Sequence, residues 1–152
     1  MKIATWNVNS VRVREARLVA FLGREQPDAL CLQELKVVDD DFPHDAVRAA
    51  GYEAVTFGQK TYNGVGILAK KGTAIANVSR TFEDGENDPQ ARLIAADILG
   101  VRVVSIYVPT ALNPTSGFLV FARESDILDP RLSVEEGIKL VVSGGVVRPP
   151  GN

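Results

Sequence analysis

The chain has 152 residues, which is enough for one domain with one sizeable hydrophobic core. Hydrophobic residues make up 45% and charged residues 24%, as in an ordinary globular protein, and no apolar run approaches the roughly 18 residues of a membrane-spanning helix. The net charge of −2 argues against a nonspecific nucleic-acid coat but is compatible with a local basic site.

The N-terminal part of the chain is predicted to start with a strand and a helix. Its first residues lack the apolar core of a signal peptide, so we expect a cytoplasmic protein with no membrane span in this chain. Residues 2–6 alternate and are rich in strand formers, which predicts a first strand ending at Asn7. Ser10 is predicted to cap a helix that ends near Gln26. One face of this helix is predicted to carry Ala16, Val19, Ala20 and Gly23.

The middle of the chain is predicted to consist mainly of strands. Residues 28–33 form a nearly continuous apolar run, as expected of a strand buried on both faces. A short helix is predicted over residues 45–50, after Pro43. Further strands are predicted over residues 52–57, 65–69, 74–79, 93–98 and 101–108. The dipeptides Asn63-Gly64 and Leu99-Gly100 predict turns, and the second predicts a hairpin.

The chain has one cysteine and one histidine. Cys31 lies in an apolar strand without a flanking histidine or basic cluster, so we expect a buried, inert thiol and no internal disulfide. His44 follows an acidic stretch far from the other polar motifs, and we expect an exposed residue rather than a general base.

Polar side chains stand where two predicted strands end. Asn7 and Asn9 follow the first strand, and Glu34 follows the strand over residues 28–33. If these strands are neighbours in one sheet, an amide oxygen and a carboxylate meet at its edge. Such a donor set suits Mg²⁺, which keeps several waters and engages phosphate oxygens. The alternative is that these are ordinary solvated loop residues.

Five sequence motifs, in order along the chain, resemble those of a known family. They are "TWNVNSVR" from Thr5, "QPDALCLQELK" from Gln26, "GQKTYNGVGILAKK" from Gly58, and then "QARLIAADI" and "VRVVSIYVP". Residues 1–109 thereby resemble the N-terminal half of the exonuclease III family, within the endonuclease/exonuclease/phosphatase superfamily. The resemblance implies a partial α/β sandwich, largely one mixed sheet with flanking helices. A C-terminal strand and helix are expected in the residues beyond it.

The resemblance also implies a function and a set of site residues. The activity would be Mg²⁺-dependent hydrolysis of the DNA backbone, with Mn²⁺ as a substitute ion, at an abasic site or a 3′ end of double-stranded DNA during base-excision repair. The implied roles are metal binding by Asn7 and Glu34, a nearby polar group on Asn9, a catalytic phenol on Tyr107, and DNA contacts by Lys36, Asn63 and Arg92. For each residue a structural role remains the alternative: Tyr107 as an ordinary strand tyrosine, Lys36 and Arg92 as surface charges, and Asn63 as a turn residue.

The remaining segment, residues 110–152, does not continue the resemblance. The Gly-Asp-x-Asn, Asp-containing and Ser-Asp-His motifs of the family's second half are absent from it. A strand is predicted over residues 118–122 and a helix from Ser133. The segment "NPTSG" and the residues after it resemble the C-terminal end of an uncharacterised bacterial membrane-protein family. We therefore predict a boundary at residue 109 and a join produced by gene fusion, by recombination or by an assembly error upstream of the sequence.

Two interpretations of the whole chain follow. The first is a truncated exonuclease III-like hydrolase that is inactive alone, because several catalytic motifs are missing. The alternative is a noncatalytic, chimeric chain that binds DNA or a partner weakly, or that has no selected function. In either case an uncovered sheet would favour self-association.

Overall fold

The computed structural model describes residues 1–81 and 88–108. The helices are α1 (Val11–Glu25) and α2 (His44–Ala49), with a short 3₁₀-helix at Asp39–Asp41. The strands are β1 (Ile3–Asn7), β2 (Ala29–Gln33), β3 (Tyr52–Phe57), β4 (Val65–Lys70), β5 (Ile75–Ser79), β6 (Leu93–Ile98) and β7 (Val101–Ile106). The predicted strand over 118–122 and the predicted helix from Ser133 lie outside the described residues.

The first four strands of the chain form one mixed sheet in the order β1-β2-β4-β3. β1 and β2 are parallel and are connected by α1, whereas β2 with β4 and β3 with β4 are antiparallel. A helical crossover is the usual connection between two parallel neighbours, because a tight turn cannot return the chain to the same end of the sheet. The predicted α/β fold with a mixed sheet and flanking helices is confirmed.

A second sheet, in the order β5-β6-β7, is antiparallel and packs against the first. The expectation of largely one sheet is corrected to two packed sheets. The physical reason is that both sheets present apolar inner faces, which bury each other. This inter-sheet core joins Ala29, Cys31, Ile67 and Ala69 of the first sheet to Ile94, Ala96, Ile98 and Val103 of the second.

The outer face of the mixed sheet forms a second core with the helices. Leu30, Leu32 and Leu68 pack there with side chains from α1 and α2. Every residue of β2 is buried, because one face of this strand belongs to each core. The prediction of a strand buried on both faces is confirmed.

The buried face of α1 differs from the predicted one. Val11, Leu18 and Leu22 are buried, whereas Ala16, Ala20 and Gly23 are exposed and Val19 is half-buried. The larger apolar side chains remove more area from water, so they determine which face turns inward. Ser10 makes no side-chain cap, and its backbone N–H donates to the Glu34 carbonyl at 2.8 Å. The start of α1 is therefore attached to the loop that follows β2.

The β6–β7 hairpin has the predicted two-residue turn. Leu99 and Gly100 both have positive φ, at 52° and 77°, as a type I′ turn requires. Within residues 1–81 and 88–108, no helix is long and apolar enough to cross a membrane. A cytoplasmic location stays a prediction.

Candidate metal and phosphate site

The parallel pairing of β1 with β2 brings Asn7 and Glu34 to the same edge of the mixed sheet. Asn7 lies opposite Gln33 in the register, so Glu34 begins its loop directly beside the end of β1. The Asn7 Nδ2 donates to Glu34 Oε1 at 2.8 Å. The two strand ends that the sequence analysis singled out are therefore neighbours, and their polar side chains are in contact.

Glu34 is a buried carboxylate with polar and charged neighbours. The residue is 2% exposed, and Lys36 Nζ lies 3.0 Å from its Oε2. A buried carboxylate without such partners would be costly, because burial disfavours the charged form. Lys36 Nζ also donates to Asn9 Oδ1 at 2.5 Å, and the Asn9 backbone N–H donates to Asn7 Oδ1 at 3.1 Å. These four side chains form one connected polar group.

Tyr107 completes this group from the second sheet. It follows β7, is 5% exposed, and its backbone N–H donates to the Arg92 carbonyl at 2.7 Å. Burial first, and then the charge of Glu34 and a side-chain hydrogen bond to it, raise the pKa of Tyr107 to about 12. The phenol is therefore protonated at neutral pH and serves as a hydrogen-bond donor. Asn7, Asn9, Glu34, Lys36 and Tyr107 are called the candidate site below.

Backbone hydrogen bonds join three loops beneath the candidate site. The N–H groups of Leu35 and Lys36 donate to the carbonyls of Gly64 and Asn63, at 3.0 and 3.1 Å. The Gly64 N–H in turn donates to the Ala91 carbonyl at 2.9 Å. The loops that carry Glu34, Asn63 and Arg92 are thus fixed relative to one another by their main chains.

Strained backbone is concentrated in this region. Nine non-glycine residues of the described chain have positive φ, and five of them lie here: Asn9, Ser10, Glu34, Lys36 and Asn63. Such conformations each cost free energy and persist only where surrounding contacts enforce them. Their concentration is typical of a functional site, and here the loop hydrogen bonds provide the enforcing contacts.

Two predicted DNA-contact residues lie outside the connected group. The Asn63 side-chain amide donates to Gln59 Oε1 at 3.2 Å and to Gln90 Oε1 at 3.0 Å, so it ties two loops together. Arg92 is paired with Asp88, with Nε 2.8 Å from Oδ2. DNA contacts by Asn63 and Arg92 stay predictions, whereas a structural use of both side chains is visible.

Two further residues near the site did not come out of the sequence analysis. Tyr62 is 68% exposed on the loop that carries Asn63. An aromatic residue within a polar turn is the sequence feature that could have identified it. Gln33 is buried and directly precedes Glu34. A polar side chain within an otherwise apolar strand is the sequence feature that could have identified it.

The donor set of the site fits Mg²⁺ better than a transition metal. Its one carboxylate, Glu34, and the amide oxygens of Asn7 and Asn9 are hard oxygen ligands, which suit an ion that retains several waters. The described residues contain no group of three or more His, Cys, Asp or Glu side chains that could enclose a metal. The Lys36 ammonium lies 3.0 Å from the Glu34 carboxylate, which shows that positive charge is favourable at this carboxylate.

The chain belongs to the Endonuclease/Exonuclease/phosphatase family, whose model matches residues 4–144. The match extends past the predicted boundary at residue 109. Residues 109–152 lie outside the described residues, so that boundary and the resemblance to a membrane-protein family stay predictions.

Within this family, the relatives of the chain are exonuclease III and AP endonucleases. It is 37% identical over 98 residues to exodeoxyribonuclease III of Haemophilus influenzae, covering 64% of this chain and 36% of that protein. A Neisseria 3′ phosphatase bound to a product DNA hairpin is 44% identical with a TM-score of 0.68, over 72% of this chain and 42% of that one. An AP endonuclease from Archaeoglobus fulgidus is 40% identical with a TM-score of 0.67, over the same shares. The chain thus spans less than half the length of these relatives.

Proposed function

We propose that the chain carries the metal-binding and phosphate-binding half of an exonuclease III-type site and acts on DNA as a Mg²⁺-dependent phosphodiesterase. The observation that carries the proposal is the contact of a buried carboxylate, Glu34, with the Asn7 amide and the Tyr107 phenol. Support also comes from the relatives, which are named as a DNA exonuclease, a DNA-bound 3′ phosphatase and an AP endonuclease. Double-stranded DNA with an abasic site or a 3′ end is the proposed substrate.

The residues of the candidate site have distinct proposed roles. Glu34 and Asn7 would hold Mg²⁺, or Mn²⁺ in its place, and the ion would neutralise negative charge on a phosphate group. Tyr107, protonated at neutral pH, would donate its phenol proton in a hydrogen bond to a phosphate oxygen. Lys36 would supply a second positive charge for the same group, since its ammonium is partly exposed.

Binding of the DNA strand would extend along the loop of residues 58–64. Tyr62 presents an exposed ring there, and exposed aromatic rings bind nucleic acids by stacking on bases. Lys60, two residues away, is also exposed and would contact the phosphate backbone. The loop would thus contribute affinity while the candidate site positions the scissile phosphate.

The experiment is a cleavage assay on the full chain with two labelled duplexes, one with an abasic site and one with a recessed 3′ end. Each is incubated with Mg²⁺ or with chelator. The Glu34→Gln variant tests the proposed ligand, and Glu15→Gln on the exposed side of α1 is the matched control. Mg²⁺-dependent cleavage that is lost only in Glu34→Gln supports the proposal. Equal cleavage by both variants would contradict the role of Glu34.

A noncatalytic function is the second candidate, and the sequence of residues 110–152 favours it. The Gly-Asp-x-Asn and Ser-Asp-His motifs of the family's second half do not occur in this segment. Within the described residues, Glu34 is not part of a group of three or more His, Cys, Asp or Glu side chains. This candidate expects Mg²⁺-dependent DNA binding, measured by fluorescence anisotropy, without cleavage of either duplex.

We also propose that the chain self-associates through an open sheet edge. Within the described ranges, β1 pairs only with β2 and β7 only with β6, so each is an edge strand. Thr5, in the middle of β1, is exposed. Unpaired edges favour pairing with a second chain. Sedimentation equilibrium that gives a monomer at all concentrations would refute this.

A further inference from the structure

A buried polar contact crosses between the two sheets directly below the candidate site. The Gln33 side chain is 5% exposed, and its Nε2 donates to Ser105 Oγ in β7 at 3.0 Å and to Thr5 Oγ1 in β1 at 3.1 Å. Ser105 Oγ donates in turn to the Leu32 carbonyl at 3.3 Å. One amide therefore joins β1, β2 and β7, which are the three strands that lead into the site.

Gln33 and Ser105 are each close in sequence to a residue of the candidate site. Gln33 is the last residue of β2 and immediately precedes Glu34, whereas Ser105 lies two residues before Tyr107. Glu34 follows a strand of the first sheet and Tyr107 follows a strand of the second, yet the two side chains are hydrogen-bonded. Their contact therefore depends on how the sheets are aligned at this end.

The apolar part of the inter-sheet core fixes the relative position of the two sheets less strictly than these hydrogen bonds do. It is built from apolar side chains such as Ile67 and Ile94, whose burial is favourable without a preferred direction. Hydrogen bonds are directional and fix donor and acceptor within a few tenths of an ångström. An apolar residue at position 33 could fill similar space, but it would not set the sheet alignment in this way.

We propose that Gln33 is a positioning residue: its amide, bonded to Ser105 and Thr5, holds Glu34, at the end of one sheet, against Tyr107, at the end of the other. The inference rests on the proposed function, since it assigns Gln33 to the support of that metal and phosphate site. Groups that orient metal ligands from behind commonly change metal affinity when they are replaced. Gln33 acts through Glu34 and Tyr107 and touches neither metal nor phosphate.

The test compares two disruptive variants with one control in the full chain. Gln33→Met removes the amide at similar side-chain length, and Ser105→Ala removes its partner with a smaller change in the core. Ile67→Val removes one methylene from the same inter-sheet core and leaves the polar contact intact. Urea denaturation shows how much each variant loses in stability, so that a general loss can be separated from a local one.

The first readout does not involve metal. The chain has three tyrosines, and 3-fluorotyrosine labelling gives each a fluorine resonance, assigned with Tyr107→Phe. Gln33→Met and Ser105→Ala are both expected to shift the Tyr107 resonance. The double variant is expected to shift it no further than Gln33→Met alone, because Gln33→Met already removes the hydrogen bond to Ser105. The resonances of Tyr52 and Tyr62 are expected to stay. An unmoved Tyr107 resonance in Gln33→Met, or an equal shift in Ile67→Val, would overturn the proposal.

The second readout is the Mg²⁺ dissociation constant, measured by titration calorimetry. Gln33→Met is expected to raise it by about tenfold or more, while Ile67→Val leaves it unchanged. Equal effects of both variants would overturn the positioning role. A wild-type chain that binds no Mg²⁺ would overturn the proposed function instead, and the fluorine resonances would then decide the role of Gln33.

Discussion

Replacing Gly64 by alanine is expected to destabilise the chain far more than the same change at Gly72. Gly64 has φ +85° and Gly72 has φ +89°, so an alanine is strained at both positions. A Cβ on Gly64 would lie 2.9 Å from Leu35 Cβ and 3.4 Å from the backbone nitrogens of Leu35 and Lys36. A Cβ on Gly72 would meet nothing within 4 Å. The pair therefore separates backbone strain from steric overlap.

The expected magnitudes follow from these two contributions. Positive φ costs an L-residue about 1 to 2 kcal/mol at either position. Overlap with a packed neighbour adds about 1 to 3 kcal/mol at Gly64 alone. The lower entropy of the unfolded alanine chain offsets part of the cost equally in both variants. Gly64→Ala is thus expected to lose more free energy of unfolding than Gly72→Ala by the overlap contribution.

Urea denaturation followed by the fluorescence of Trp6, the one tryptophan, measures both variants. Trp6 packs against Phe21 with ring centroids 5.9 Å apart, so its emission reports on the packing of α1 against the mixed sheet. Equal losses in the two variants would refute the reasoning, because they would show that the loops at Gly64 and Leu35 are not tightly packed. A larger loss in Gly72→Ala would refute it as well.

Three further predictions concern titration, thiol reactivity and DNA binding. Burial raises the pKa of Cys31 from 9.0 to about 12 and also raises that of Tyr52 above 10.0. These two protons and that of Tyr107 are held more tightly in the folded chain, so the free energy of unfolding should fall as pH rises from about 9 toward 12. A flat urea-denaturation series over this range would contradict this, and so would a Cys31→Ala series as steep as that of the wild-type chain. The Cys31 thiol should react with Ellman's reagent only after denaturant is added, and rapid reaction in native buffer would show that it is accessible. Tyr62→Ala should leave the urea midpoint unchanged and weaken DNA binding by about 1 to 3 kcal/mol in an anisotropy titration, and unchanged affinity would exclude stacking by this ring.

The strand content was predictable because local patterns specify it. The strands at residues 52–57 and 93–98 have the predicted bounds, since each is a run of strand-forming residues limited by turn residues. The Leu99-Gly100 turn was equally local. The buried face of α1 was not predicted correctly. The prediction followed a row of small residues, which the packing leaves exposed, whereas the larger Leu18 and Leu22 are the residues that are buried.

The candidate site was predictable only as a set of residues, not as an arrangement. The parallel pairing of β1 with β2 could be anticipated from strand, helix and strand in succession, and it places Asn7 beside Glu34. The packing of the second sheet could not, because it joins residues such as Gln33 and Ser105 that lie 72 positions apart. No local sequence pattern indicates a contact between residues so far apart in the chain. For the same reason, the hydrogen bonds from the Asn63 side chain to Gln59 and Gln90 could be seen only in the structure.

The three loops at the candidate site are joined through main-chain groups, and this affects which substitutions they tolerate. The bonds from Leu35 and Lys36 to Gly64 and Asn63, and from Gly64 to Ala91, use N–H and carbonyl groups that almost any amino acid supplies. The exposed side chains of the same loops, such as those of Lys60 and Tyr62, take no part in these bonds and can change by mutation while the loop framework keeps its shape. Under the proposed function, exchange of the exposed side chains of residues 60 and 62 would change the contacts to DNA without disturbing this framework. Gly64 is the exception, since its lack of a Cβ is part of the framework itself.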